Sequence, residues 1–137
     1  MKKGITFGAF DLFHAGHILM LEEAKTVCDY LIVAIQSDPS LDRKAKNSPV
    51  QSVEEREIQV SACRYVDEVI IYDREADLLE ILDTVSWHVR ILGDEYKNKY
   101  FTGREKYLDK CYFNKRPHNF SSSELRKRVA SEHFKKT

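Results

Sequence analysis

Residues Tyr30-Leu31-Ile32-Val33-Ala34-Ile35 form an unbroken β-branched and apolar run. A run of this kind marks a strand covered on both faces, as in a parallel sheet held between layers of helices. Ser37-Asp38-Pro39 ends it with turn residues. Shorter strand-like runs stand at Ile5 to Phe7, at Val69-Ile70-Ile71, at Arg90-Ile91-Leu92 before the Gly93-Asp94 turn, and at Cys111-Tyr112-Phe113.

Helical patterns fall between these runs. Ile18, Leu21, Ala24 and Cys28 recur at spacings of three, three and four, which predicts one inward face. Ser52-Val53-Glu54-Glu55 is a capping box and predicts a helix through about Arg64. Leu78, Leu82 and Val85 give the next helix its apolar side, and Ser121-Ser122-Ser123-Glu124 opens a last helix with Leu125 and Val129 turned inward. Strands alternating with helices imply an α/β fold, a doubly wound parallel sheet with helices on both faces. In such sheets the ligand crevice lies outside the carboxyl ends of the strands, which here carry Gly8 to His17, Ser37-Asp38, Gly93-Asp94 and the segment before Ser121. Ser40 to Gln51 is polar, contains Pro49, and is expected to be a mobile loop.

With 137 residues, 42% of them hydrophobic, the chain suits one compact domain over residues 1–137. Its 22 basic and 22 acidic residues cancel, which argues against a general nucleic-acid binder or a polybasic membrane protein. No apolar run reaches the roughly 20 residues of a spanning helix, and Met1-Lys2-Lys3 does not begin a signal peptide. Three scattered cysteines suit free thiols in a reducing compartment, so a cytoplasmic protein is expected. The C-terminal segment is basic, but it lacks interleaved aromatic platforms, and favourable charge at a helix C-terminus explains it.

The chemistry concentrates after the first strand. His14 and His17 stand three apart around Gly16, at the start of the first helix. Free backbone N–H groups and the positive end of the helix dipole favour an anion there, and two imidazoles add directional donors. One histidine acting as a helix cap is the plainer alternative. A zinc site is weaker, because no cysteine or carboxylate stands at ligand spacing.

Gly8-Ala9-Phe10-Asp11-Leu12-Phe13-His14-Ala15-Gly16-His17 resembles the His-x-Gly-His signature of the nucleotidyltransferase superfamily. The form is that of cytidylyltransferases acting on small phosphorylated alcohols, and the chain is most similar to the glycerol-3-phosphate group of that family. Arg64-Tyr65-Val66-Asp67-Glu68-Val69 closely resembles a second string of that group. Arg116 to Ser123 aligns without a gap with a further signature that ends in a hydroxyl run.

The resemblance implies a Rossmann-like five-stranded sheet of order 3-2-1-4-5, a homodimer, and transfer of a cytidylyl group from CTP with release of pyrophosphate. It places His14, His17, Lys44, Lys46 and Arg116 in catalysis. Gly8, Ala9, Phe10, Asp11, Gly16, Gly93, Asp94, Ser121, Ser122 and Ser123 join His14, His17 and Arg116 in binding the nucleotide. Asp38, Lys44, Arg56 and Arg64 go to the acceptor. Mg²⁺ is the expected cofactor, held mainly by the triphosphate, with Asp11 either a metal ligand or a brace for the turn. Ala9, Pro117, His118 and Asn119 depart from the family's pattern. Phe120 to Arg126 also resembles adenylyltransferases of the same superfamily, so ATP and a sugar phosphate or flavin mononucleotide form the alternative pair. A nucleotide sensor that does no chemistry is the alternative from another class.

Overall fold

A computed structural model of the chain describes residues 1–115 and 118–135. Five strands, β1 (Lys3–Gly8), β2 (Tyr30–Gln36), β3 (Glu68–Tyr72), β4 (Val89–Leu92) and β5 (Cys111–Phe113), form one sheet of order β3-β2-β1-β4-β5. Every pairing is parallel, with Ile5 opposite both Ile32 and Arg90, and Ile32 opposite Glu68. The chain builds outward from β1 to β3, then returns to the other side of β1 for β4. The crevice of an open sheet opens at that reversal.

Helices α1 (Ala15–Ala24) and α2 (Val53–Ser61) contribute to one core with Leu21, Ala24, Leu31, Val33, Ile35, Val60, Val89 and Ile91. The opposite face of the sheet packs Ile5, Ile32, Ala34 and Tyr72 against Leu78 and Leu82 of α3 (Glu75–Thr84), with Trp87. Ile32, Val33, Ala34 and Ile35 are at most 1% exposed, the two-sided burial that the apolar run predicts. A short α4 (Arg104–Tyr107) follows β4, and α5 (Ser122–Lys135) ends the chain. Among the described residues no helix is long and apolar enough to cross a membrane.

Several expectations shift. Helix α2 stops at Ser61, so Arg64 lies beyond it. Ile18 is 40% exposed and Val129 60% exposed, so neither points inward. Leu21 and Ala24 close the α1 face between them, and α5 lies over the strand ends with no buried residue of its own. The Ser40–Gln51 segment is pinned rather than loose: Arg74 and the Glu75 backbone hold Asp42, Arg43 pairs with Glu75 at 2.9 Å, and Val50 and Gln51 donate to Asp11.

Candidate active site

The turn from β1 into α1 carries local strain. Phe10 and Leu12 hold left-handed backbone angles, φ 53° and 51°, which side-chain-bearing residues rarely adopt. Asp11 between them compensates. It is 5% exposed, and its carboxylate accepts from Val50 N at 2.8 Å, Gln51 N at 2.9 Å and the Arg126 guanidinium at 2.8 Å. Burial pushes its pKa up, but the two backbone donors and Arg126 outweigh that and hold it below the usual aspartate value. One carboxylate thereby fastens the turn to the Ser40–Gln51 segment and to α5.

The two histidines form a reciprocal cap at the start of α1. His14, the residue before the helix, accepts from Gly16 N on Nδ1 at 3.0 Å, and His17 Nδ1 accepts from His14 N at 3.1 Å. Both Nδ1 atoms are acceptors, so in the neutral rings both protons sit on Nε2. His14 Nε2 lies 3.1 Å from Ser122 Oγ at the first turn of α5. The imidazoles are 3.9 Å apart between centroids, and His17 stacks on Phe13 at 5.6 Å. Burial, and secondarily the neighbouring His14, lower the His17 pKa to about 3. His17 is therefore a neutral N–H donor at pH 7.

Capping and anion gripping are the same arrangement seen from two sides. The backbone interaction fixes the tautomer, and the tautomer fixes which nitrogen presents a proton. Gly16 makes the geometry possible. A Cβ there would lie 2.8 Å from His14 Cε1 and 3.0 Å from Phe120 Cβ.

Both histidines line a cleft of 400 Å³ over the carboxyl ends of the strands. Gly8, Ala9, Gly16, Lys46, Gly93, Ser121 and Ser122 line it too. Ser121 Oγ accepts from Glu124 N at 3.1 Å and caps α5, which leaves Ser122 facing His14.

The other expected residues lie elsewhere. Asp94 and Ser123 are exposed and off the cleft wall, where Glu95 and Tyr96 stand beside Gly93 instead. Phe10 is buried against His17. Asp38 caps the short turn at Pro39–Leu41 through Ser40 N at 3.0 Å. Lys44 is exposed and off the cleft wall. Arg64 is exposed on a separate shallow hollow with Phe13, Ile18, Cys63 and Tyr65, its guanidinium donating to Tyr65 Oη at 2.9 Å. Arg116 falls outside the described residues.

Arg56 departs furthest from an acceptor role. It is 1% exposed, and its guanidinium donates to the carbonyls of Ala9, Gln36, Ser37, Gln51 and Ser52 at 2.5–3.3 Å. Its side chain knits the ends of β1 and β2 to the start of α2 and is spent on backbone.

Sequence reasoning missed Arg43, Tyr72, Glu75, Arg90 and Asn114, all of which line the cleft. For Arg90 a signal exists: a charged residue inside the otherwise apolar Val89–Leu92 strand has to be explained by a partner or a ligand.

Among the described residues no three His, Cys, Asp or Glu side chains gather to hold a metal. Asp11, the carboxylate of the turn, has both oxygens engaged by Val50, Gln51 and Arg126. These residues do not build a resident magnesium site, and Asp11 is a brace.

Residues 5–128 match the cytidylyltransferase-like family. The chain is 43% identical over 101 residues to glycerol-3-phosphate cytidylyltransferase of Bacillus subtilis, covering 73% of this chain and 77% of that protein. It is 38% identical over 89 residues to ethanolamine-phosphate cytidylyltransferase of Dictyostelium discoideum, covering 64% of this chain but only 25% of that longer protein. Among solved structures, a lipopolysaccharide core biosynthesis protein from Thermoplasma volcanium shares the fold, with TM-score 0.61, 22% identity, and coverage of 97% and 89%. With its strand order, its His-x-Gly-His turn and this match over nearly its whole length, the chain belongs to the cytidylyltransferase-like family of nucleotidyltransferases.

Proposed function

We propose that this protein transfers the cytidylyl group of CTP to the phosphate of a small phosphorylated alcohol, with glycerol 3-phosphate the leading acceptor. The observation that carries the reading is the reciprocal cap of His14 and His17, which engages both Nδ1 atoms as acceptors and leaves both Nε2 atoms on the side of a cleft at the N-termini of α1 and α5. Two helix N-termini and paired imidazoles suit a polyphosphate.

The reaction balances without a protein base. An acceptor phosphate oxygen attacks the α-phosphorus, a new P–O–P bond forms, the bond to the β-phosphate breaks, and pyrophosphate leaves with the electron pair. A phosphomonoester has a second pKa near 6, so the nucleophile is already ionised at pH 7. The protein's task is to bring two polyanions together and to stabilise charge on the crowded phosphorus. His14 and His17 donate to the α-phosphate and the bridging oxygen, His14 sharing its Nε2 proton between the phosphate and Ser122 Oγ, 3.1 Å away, and Lys46 offsets phosphate charge from the cleft wall. Magnesium enters as part of the nucleotide substrate.

The hollow beside Arg64, lined by exposed Ile18, is the face we assign to a second copy of the chain. Light scattering that returns a monomer mass at micromolar concentration contradicts that assignment.

Pyrophosphate release with Mg²⁺, crossing CTP, ATP, UTP and GTP against glycerol 3-phosphate, tests the nucleotide. CTP is expected to work best. Turnover with ATP alone contradicts the cytidylyl reading.

A further inference from the structure

The cleft does not end at the histidines. Because Arg90 pairs with Ile5 across the sheet, its side chain stands on the same face as Ile5, the face covered by α3. There the cleft continues into a lobe walled by Phe7, Tyr72, Glu75, Arg90 and Phe101.

Arg90 is 5% exposed, yet no carboxylate pairs with it among the described residues. Its guanidinium lies between two aromatic rings, 5.0 Å from the Phe7 centroid and 5.2 Å from that of Phe101. One Nη donates to Thr102 O at 2.5 Å, and Nε has no partner. The neighbouring Gly103 sits at φ 88°, and a Cβ there would come 3.3 Å from Arg90 Nη1. The corner carrying Thr102 is thus shaped around the guanidinium. Glu75, also on the lobe wall, spends Oε1 on Arg43 and leaves Oε2 buried without a partner.

A buried donor and a buried acceptor both left open cost stability unless a ligand fills them. Within the lobe Arg43 already matches Glu75, which leaves Arg90 as the cation without a carboxylate; along the rest of the cleft stand Lys46 and, beside Gly93, Glu95.

We propose that this lobe receives the head of the phosphorylated acceptor and selects heads bearing hydroxyl or carboxylate groups over heads ending in an ammonium. The proposal rests on the transferase reading for its reaction, but not for its binding geometry. The nucleoside belongs toward Gly93, Tyr96 and the start of α5. The acceptor phosphate then reaches the α-phosphorus from the lobe side, with its head against Arg90. A hydroxyl accepts from Arg90 Nε and donates to Glu75 Oε2, whereas a carboxylate takes the guanidinium alone. An ammonium about 5 Å from the guanidinium, at an effective dielectric near 20, is disfavoured by about 10²-fold.

The experiment compares kcat/KM with CTP and Mg²⁺ for glycerol 3-phosphate and 3-phosphoglycerate against phosphoethanolamine and phosphocholine, in the wild type and in Arg90→Met and Arg90→Lys. The wild type is expected to prefer the first pair by about 10²-fold. Arg90→Met should shrink that ratio at least tenfold with little change in the KM for CTP, and Arg90→Lys should keep much of it. Equal use of phosphoethanolamine and glycerol 3-phosphate, or a ratio unmoved in Arg90→Met, overturns the proposal. Calorimetric titration of the four acceptors reads the lobe without turnover. Selective binding with no pyrophosphate release supports the lobe and defeats the cytidylyl reading, whereas turnover without discrimination does the reverse.

Discussion

The Asp11 carboxylate and the Arg126 guanidinium meet at 2.8 Å across 115 residues of sequence, joining the first turn of the site to the last helix. Asp11 is almost fully buried, while the Arg126 side chain is 31% exposed. The two ends of the contact therefore differ in consequence. Asp11→Ala strips acceptors from two backbone N–H groups as well as from Arg126, and is expected to cost roughly 2–4 kcal/mol in denaturant unfolding. Arg126→Met leaves Asp11 its two backbone donors and is expected to cost about 1 kcal/mol or less. Equal losses in the two variants contradict the bracing role.

Gly16 tests whether the His14 ring must lie where it does. Alanine favours a helix over glycine by about 1 kcal/mol, so propensity alone predicts a more stable Gly16→Ala protein. Contact of the new Cβ with His14 and Phe120 opposes this. Turnover is expected to fall at least tenfold with a melting temperature within a few degrees of the wild type. Unchanged turnover means the ring has room to move without consequence.

His14 and Ser122 separate the group that acts from the group that steadies it. His14→Ala removes a donor to the reacting phosphate and is expected to lower kcat by about 10² or more. Ser122→Ala leaves the His14 cap to Gly16 intact and should lower kcat by about tenfold or less. A Ser122→Ala loss as deep as that of His14→Ala would reassign the hydroxyl to direct contact with substrate.

The pH dependence of stability follows from His17. Its folded pKa, about 3, lies below the value near 6.5 of a free histidine. The unfolded chain therefore takes up a proton between these values and the folded chain does not, so stability falls as pH drops through that window and is unaffected above it. Between pH 7 and pH 5 the loss is up to about 2 kcal/mol. His17→Gln keeps a capping acceptor at the third helical position and should flatten the decline. A wild-type stability that is level from pH 7 to pH 5 contradicts the burial of a neutral ring.

The parts of this molecule legible in the sequence are those fixed by local pattern. The Tyr30–Ile35 run announces two-sided burial, and the Ser52 capping box starts α2 where expected, with Ser52 Oγ accepting from Glu55 N at 3.1 Å. His14 and His17 announce an anion site because their spacing spans one helical turn. Long-range partners carry no such mark. Arg56 reads as a surface residue in a helix of mixed charge, and only the fold brings five carbonyls around it. Arg90 and Glu75, fifteen residues apart, share a lobe because the Arg90 side chain leaves β4 on the sheet face that α3 covers. Val129 satisfies helical spacing on a helix that buries nothing, since periodicity reports a preference for an inner face and not the presence of one.

Phosphorus NMR of the wild-type protein with CTP, Mg²⁺ and glycerol 3-phosphate follows the cytidylyl transfer itself. The triphosphate signals are expected to decline while free pyrophosphate and a new P–O–P diester appear in equal amounts, and His14→Ala is expected to slow both together. Intact CTP and glycerol 3-phosphate, beside a protein that still binds the nucleotide, would contradict the cytidylyl reading.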